Sequence, residues 1–127
     1  MLNVRFYKNS DFPVVSSWFD CGLAEVTIPS SSFICEVDGV PAIFVTAIIT
    51  NIPLVWLESL QGNPEVPKEK RREGTVALLD HISAWAKIVG ARGFFCVAPN
   101  EGLKKYYEHL GFKESSKVIA TMLKEVV

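Results

Sequence analysis

The stretch from Phe33 to Ile49 constrains the fold of this chain more than any other part of the sequence. A mainly apolar run, Phe33 to Val37, is followed by Asp38-Gly39 and then by a second apolar run that ends near Ile49. An Asp-Gly pair readily adopts the positive φ angles of a tight turn. The segment therefore predicts two antiparallel strands joined as a hairpin.

Strands and helices alternate on both sides of this hairpin. Before it, Leu2–Tyr7 alternates apolar and polar residues like a strand, and a helix that begins at Asn9–Asp11 is expected to end at Gly22. After it we expect a strand over Leu54–Leu60 and then a helix from Pro67 to Gly90, with Leu78, Ile82, Trp85 and Val89 on one face. A strand over Gly93–Val97, a helix between Asn100 and Gly111 and a last strand over about Lys117–Leu123 are expected to follow.

This order is that of an α/β (α+β) protein in which the long helix crosses between two parallel strands near the middle of the sheet. The 127 residues fit one domain, residues 1–127, which can build its core without metals or disulfides.

Composition excludes several classes of function. Thirteen basic and fourteen acidic residues leave a net charge of −1, which provides no general attraction to nucleic acid. The longest apolar run, Val40–Ile49, is about half of the ~20 residues that a membrane span requires. Cys21, Cys35 and Cys96 lack the paired spacing of a metal or redox site. We therefore expect reduced thiols in a cytoplasmic protein, with no metal, no nucleic acid and no membrane partner.

Near the C-terminus, the segment Asn100-Glu-Gly-Leu-Lys-Lys-Tyr-Tyr107-Glu-His-Leu-Gly111-Phe112 resembles the C-terminal motif of the GNAT superfamily of acyl-CoA-dependent N-acyltransferases. In that motif an Asn, a Tyr seven residues later and a Gly-Phe pair close the last helix. Ala77–Lys87 and the strand through Val97 are similar to the family's central helix and the strand after it. Gly62-Asn63-Pro64 is similar to the same region of small GNAT-like proteins of phages and bacteria. The resemblance implies a GNAT-like mixed, mostly antiparallel sheet with a central parallel strand pair and flanking helices.

One segment departs from the family pattern. The family's loop before the central helix usually reads Arg or Gln, two residues, Gly, one residue, then Gly or Ala, and its amides hold the pyrophosphate of coenzyme A. The nearest segment of this chain is Arg71-Arg-Glu-Gly74-Thr-Val76. If the motif is aligned to start at Lys70 instead, Glu73 and Thr75 stand at the Gly positions. The loop is also about three residues longer, close to one helical turn. The sequence therefore predicts that this loop is rebuilt or lost.

The resemblance also implies a set of site residues. Tyr107 stands where the family carries the general acid that protonates the leaving thiolate, and Glu58 stands on the strand that often supplies the general base. The implied cofactor-binding residues for acetyl-CoA, which acts as co-substrate, are Leu60, Arg71, Arg72, Gly74, Thr75 and Asn100. Each has an alternative: Tyr107 can simply pack, Glu58 can be an exposed strand residue, Asn100 can be a helix cap, and the cations of residues 68–72 can be a solvated helix face.

Two functions remain open on this reading. The first is an N-acyltransferase that transfers an acetyl group from acetyl-CoA to an amine by direct attack in a ternary complex. Its acceptor would be a small-molecule or protein amine, and a second subunit in a homodimer is one way to complete the acceptor side. The alternative is a non-catalytic interaction module of GNAT fold that has lost coenzyme A binding.

Overall fold

The computed structural model describes residues 1–19, 28–98, 100–116 and 120–125, with the main chain alone for 115–116 and 120–123. Its strands are β1 Leu2–Phe6, β2 Ser32–Val37, β3 Val40–Ile49, β4 Leu54–Gly62, β5 Gly93–Ala98, β6 Lys113–Ser116 and β7 Ala120–Glu125. Its α-helices are α1 Phe12–Val15, α2 Lys68–Ile88 and α3 Glu101–His109.

The strands form one seven-stranded sheet in the order β1-β2-β3-β4-β5-β7-β6. β4 and β5 are parallel, while β1 with β2, β2 with β3, β5 with β7 and β6 with β7 are antiparallel. Helix α2 lies between β4 and β5 in the chain, as a parallel pair requires. The predicted mixed, mostly antiparallel sheet with a central parallel pair and flanking helices is confirmed.

The predicted hairpin is also confirmed. Val37 pairs with Val40, and the two residues between them have φ angles of 52° at Asp38 and 82° at Gly39. Positive φ at both central residues is the two-residue turn whose twist matches the flanking strands.

Contacts divide the chain into two compact units, Met1–Ala47 with Ser59–His81 and Ile48–Glu58 with Ile82–Val127. We describe each by itself, and the single-domain expectation stays a prediction. In the first unit Val15, Trp18, Ile34 and Phe44 form a buried cluster, against which Tyr7, Phe19 and Ile28 pack. In the second unit the buried side chains come from β4, β5, α2, α3 and the turn after α3, and include Val55, Leu57, Ile82, Ala86, Phe94, Cys96, Tyr107 and Phe112.

The prediction of one continuous first helix is wrong in its described part. Asn9–Trp18 consists of a 3₁₀ turn, the four-residue helix α1 and a second 3₁₀ turn that ends at Trp18. The Ser17 hydroxyl donates to the Val14 carbonyl at 2.6 Å, and such local bonds compete with helical hydrogen bonding. The expected end at Gly22 and residues 20–27 lie outside the described residues.

The long helix and the C-terminus differ from the prediction in detail. Helix α2 ends at Ile88, so Val89 lies beyond it and is exposed, while Leu79 and Ala86 join Leu78 and Ile82 in the buried face. Instead of one last strand over Lys117–Leu123, the structure has β6 and β7, and residues 117–119 are not described. No helix in the described residues is both long and apolar enough to cross a membrane.

Candidate active site

The loop between β4 and α2 is held by the side chain and backbone of Asn63. Its N–H donates to the Ala42 carbonyl at 2.8 Å, and its Nδ2 donates to the Pro41 carbonyl at 2.9 Å. Its Oδ1 accepts the Glu65 N–H at 3.0 Å. Asn63 is 5% exposed, so these bonds replace those it would make to water. They fix the path of the chain into α2.

Cations crowd the first turns of α2. The Arg71 N–H bonds the Pro67 carbonyl at 3.0 Å, which leaves the amides of Lys68, Glu69 and Lys70 without a partner inside the helix. Lys68, Lys70 and Arg72 are exposed, and one ion pair, Lys70–Glu73 at 3.8 Å, is seen among them. Positive charge is unfavourable at a helix N-terminus, whereas an anion there is stabilised. These residues therefore suit a phosphate ligand.

Arg71 differs from its neighbours because its side chain is half-buried against the end of β4. Its Cδ and Nη1 lie 3.2 and 3.5 Å from the position that a Cβ would take on Gly62. Its Nε is buried and has no hydrogen-bond partner within the described chain. An unpaired buried donor is costly to the folded chain.

Gly74 and Thr75 lie inside α2 rather than at its start. A helical residue donates its N–H to the carbonyl four residues earlier, so their amides are committed to the helix. Gly74 packs closely on β2 and β3, where a Cβ would lie 3.3 Å from Ile43 Cγ1 and 3.5 Å from Cys35 Sγ. The Thr75 hydroxyl is buried and donates to the Arg71 carbonyl at 2.9 Å. Their predicted contact with the cofactor stays a prediction, and the structure gives them packing roles.

The parallel ladder between β4 and β5 is short. Leu54, Val55 and Trp56 pair with Gly93, Phe94 and Phe95, and among the described residues no further pair follows although both strands continue. Further along β4, Ser59 has a φ of 58°, a left-handed conformation that non-glycine residues rarely adopt inside a strand. Leu60 follows it and is half-buried. Strained backbone of this kind clusters at functional sites.

Among the candidate site residues, Tyr107 has the side chain whose pKa is shifted furthest from its ordinary value. It lies on α3, is 5% exposed, and packs against Phe112 with ring centroids 5.4 Å apart. Burial raises the pKa of its hydroxyl well above the ordinary value, and Cys96, Tyr106 and Glu58 raise it further. The phenol therefore stays protonated at neutral pH, as a general acid must.

Glu58 lies on the exposed face of β4, which the sequence alone could not decide. Val55 and Leu57 are buried, while Trp56 and Glu58 are exposed, so the strand alternates up to this point. The Glu58 carboxylate is near enough to contribute to the raised pKa of Tyr107. The second unit thus brings the two predicted catalytic residues into one electrostatic environment.

Asn100 is the N-cap of α3. Its Oδ1 accepts the Leu103 N–H at 2.8 Å, which satisfies one of the free amides at the helix start. Gly111, with a φ of 96°, ends the same helix, and the Phe112 N–H returns to the Tyr107 carbonyl at 3.0 Å. Both predicted ends are confirmed, while a contact of Asn100 with coenzyme A stays a prediction.

Sequence reasoning missed two residues of this region. Ser59 carries no motif, and its left-handed φ is visible only in the structure. Cys96, which the sequence presents only as an unpaired thiol, is the other. It is a buried free thiol, and burial raises its pKa to about 12.

An open cavity of about 880 Å³ lies in the second unit, with Pro53, Arg92, Lys113 and Lys124 in its lining, and it includes none of the predicted site residues. Within the described residues, no group of three or more His, Cys, Asp or Glu side chains is arranged to hold a metal.

Comparison by sequence finds no matching family model and no matching curated protein. By structure, the ribosomal-protein-S18-alanine N-acetyltransferase from Escherichia coli matches with a TM-score of 0.77 at 17% identity, over 99% of this chain and 94% of that chain. An acetyltransferase of the GNAT family from Staphylococcus aureus matches with a TM-score of 0.79 at 11% identity, over 100% of both chains. A third match is N-acetylglutamate synthase from Neisseria gonorrhoeae, complexed with coenzyme A and N-acetyl-glutamate. Its TM-score is 0.80 at 15% identity, over 100% of this chain but 35% of that chain. These likenesses show that the chain has the GNAT acetyltransferase fold.

Proposed function

We propose that this protein is an acetyl-CoA-dependent N-acetyltransferase that acts on a small-molecule amine or a protein amino group. The observation that carries the proposal is the buried Tyr107 hydroxyl, whose raised pKa keeps it protonated, in the electrostatic environment of the exposed Glu58 carboxylate. A protonated donor and a nearby carboxylate are what acyl transfer from a thioester to an amine requires.

Acetyl-CoA supplies the thioester, whose carbonyl carbon is attacked by the acceptor amine while the C–S bond breaks. In our proposal Glu58 accepts the proton that the amine nitrogen loses, and Tyr107 gives its phenolic proton to the sulfur. The proton on Glu58 then returns to the Tyr107 oxygen, which restores both groups. Within the second unit, the main chain of β4 and β5 beyond their short ladder, at Leu57–Glu58 and Cys96–Ala98, provides amides to orient and polarise the thioester.

For the nucleotide end of acetyl-CoA we propose the start of α2. Free amides at Lys68–Lys70 and the cations of Arg71 and Arg72 provide both the dipole and the charge that phosphates need. Relatives in structure support this choice of co-substrate, because the Neisseria enzyme is complexed with coenzyme A. We also assign the protein to the cytoplasm, since Cys35 and Cys96 are free thiols.

A second function is favoured by the interior position of Gly74 and Thr75 in α2. If the usual phosphate-binding amides are committed to the helix, the fold can serve as a non-catalytic interaction module. Binding of acetyl-CoA separates the two functions directly.

Calorimetric titration with acetyl-CoA is therefore the first test. We expect micromolar binding by the wild type and weaker binding by Arg72→Ala, because one cation beside the phosphates is lost. Lys87→Ala removes an exposed cation from the last turn of the same helix and is the matched control. If millimolar acetyl-CoA gives neither heat nor a thermal shift, the acetyltransferase proposal fails and the interaction module is favoured.

Release of free coenzyme A in the presence of a panel of amines then tests the acid. Tyr107→Phe removes the hydroxyl alone and is expected to lower kcat by about 10²–10⁴-fold, the usual contribution of general acid catalysis. Tyr106→Phe makes the same change on the adjacent residue and should keep most of the activity. Equal kcat values for the two variants would contradict the role of Tyr107.

A further inference from the structure

Two aromatic side chains lie side by side on the face of β4 and β5 that carries Glu58. Trp56 and Phe95 are paired in the parallel ladder, and their rings meet edge to face, with centroids 5.7 Å apart and planes at 86°. Trp56 is 36% exposed and Phe95 is half-buried, whereas Val55 and Phe94 next to them are buried on the opposite face. The second unit therefore presents an aromatic surface outside its core.

Glu58 borders this aromatic surface. It follows Trp56 by two residues on β4, so their Cα atoms are about 7 Å apart and their side chains project from the same face. Its side chain is exposed, and within the part of the chain that the structure describes its carboxylate takes part in no hydrogen bond or ion pair. A carboxylate and an electron-rich aromatic ring both attract a cation, so the two side chains together favour a positively charged group.

The charges around Glu58 limit what such a group can carry. Glu58 is the one charged residue of β4 and β5. On the neighbouring strands, Lys113 of β6 is the nearest described cation of this face, because it pairs with Leu123 and Leu123 pairs with Phe95. It therefore lies three strands from β4, about 14 Å at the usual spacing. A carboxylate on the carbon next to an amine nitrogen would be out of its reach and would meet the like charge of Glu58.

We infer that Trp56, Phe95 and Glu58 bind the acceptor, and that this acceptor is a primary ammonium attached to an apolar group, with no carboxylate beside the nitrogen. The inference rests on the proposed function, in which Glu58 takes the proton of the amine, and names the class of its acceptor. The aromatic side chains cover the apolar group while Glu58 pairs with the ammonium. The ammonium then loses one proton to water by way of Glu58, which leaves the neutral amine and the free carboxylate with which the transfer begins.

Three amines test the acceptor class with the wild-type protein. Phenethylamine carries its ammonium on an aryl group, phenylalanine adds a carboxylate beside the nitrogen, and ethylamine lacks the ring. We expect kcat/KM, measured by release of free coenzyme A, to be at least about tenfold higher for phenethylamine than for the other two. A short peptide that begins with phenylalanine presents the same ammonium on a larger body, so the faster of the two substrates tells whether the source is a small amine or a protein N-terminus. Equal use of phenylalanine and phenethylamine would overturn the inference.

Two variants of Trp56 test the aromatic surface. Trp56→Leu keeps an apolar side chain but removes the aromatic ring, and should raise the KM for phenethylamine about fivefold, the size of one cation–π contact, with the KM for acetyl-CoA unchanged. Trp56→Phe should recover most of the loss. Phe6→Leu, on an exposed aromatic of the edge strand β1, is the control and should leave both KM values unchanged. Equal losses in the Leu and Phe variants of Trp56 would contradict an aromatic contact.

Binding can also be measured without turnover, from the NMR signal of the Trp56 indole N–H during titration with phenethylamine, with and without coenzyme A. The signal is assigned by its absence in Trp56→Phe. We expect it to shift, and we expect Glu58→Gln to weaken the apparent affinity about fivefold because the ion pair is lost. If the protein transfers no acetyl group to any amine but this shift is seen, the proposed function fails while the amine site stands. No shift at millimolar phenethylamine, or an affinity that Glu58→Gln leaves unchanged, would overturn the site itself.

Discussion

Arg5 on β1 binds both carboxylate oxygens of Asp11, with Nη2–Oδ1 at 2.7 Å and Nη1–Oδ2 at 2.8 Å. Asp11 Oδ2 also accepts the Lys8 N–H at 2.8 Å. Arg5 Nε donates to Glu36 Oε2 at 3.1 Å. The hydrogen bond from Arg5 lowers the pKa of the buried Asp11 carboxyl below its usual value. This network ties β1 to the turn that follows it.

Asp11→Asn should lower the free energy of unfolding at neutral pH by about 2–3 kcal/mol, because it leaves Arg5 without its bidentate partner. The folded pKa of Asp11 lies below the unfolded value of about 4, so this stabilisation is present above that pH and is lost as pH falls through the folded pKa. The difference between wild type and variant, measured by urea unfolding, should therefore shrink in acid. Asp80→Asn, on the exposed face of α2, is the control. A difference independent of pH would contradict the assignment.

Gly93→Ala should destabilise the protein by about 1–3 kcal/mol, the usual cost of forcing atoms into a packed site. A Cβ at this position would lie 2.8 Å from the Lys124 carbonyl oxygen and 3.1 Å from Leu54 Cδ2. Gly102→Ala makes the same change on α3, where the nearest atom, Asn100 Oδ1, is 3.5 Å away. That variant should gain about 0.5–1 kcal/mol from helix propensity. Thermal unfolding of both variants measures the contrast, and a shift of the same sign in both would refute it.

Asn100 can be tested for a role beyond capping by comparing two substitutions. Asn100→Ala should cost about 1 kcal/mol of stability, while Asn100→Asp keeps the cap. If Asn100 also lies against the phosphates of coenzyme A, the added negative charge of Asp should weaken acetyl-CoA binding without loss of stability. Calorimetry and thermal unfolding together make this comparison. Unchanged affinity in Asn100→Asp would restrict the residue to its cap.

Ser59→Gly should match or exceed the wild type in stability, because glycine adopts the left-handed φ of 58° without steric cost. Ser59→Val should lose about 2 kcal/mol or more, since a β-branched side chain strongly disfavours that region. Unfolding of the two variants in guanidinium measures which of them is more stable. A valine variant as stable as the glycine variant would show that Ser59 relaxes out of this conformation.

The sequence predicts the parts of the fold that depend on local chemistry. Asp38-Gly39 requires its turn, Asn100 caps its helix, and Gly111 ends it, because each has a side chain or a φ preference that few other structures satisfy. The four residues of β6, Lys-Glu-Ser-Ser, have no apolar alternation, so pairing with β7 alone makes them a strand.

The site is less predictable than the fold because its features depend on contacts distant in sequence. The motif points to Tyr107, but the burial that raises the pKa of its hydroxyl depends on contacts that the motif does not contain. Likewise, the family motif makes Gly74 a phosphate-binding residue, whereas the structure has it in the second turn of α2, packed against β2 and β3.

The contact between Gly62 and Arg71 has a consequence for how the family of this chain can diverge. A side chain at position 62 would meet the Arg71 stem at 3.2 Å, so the two positions are not free to mutate independently. The Arg71 stem can yield by a few tenths of an ångström to an alanine at position 62, but a large residue there should be found in natural homologues mainly together with a shorter residue at position 71. In an alignment of homologues, co-variation of positions 62 and 71 would then show which lineages have kept the cation at the end of β4.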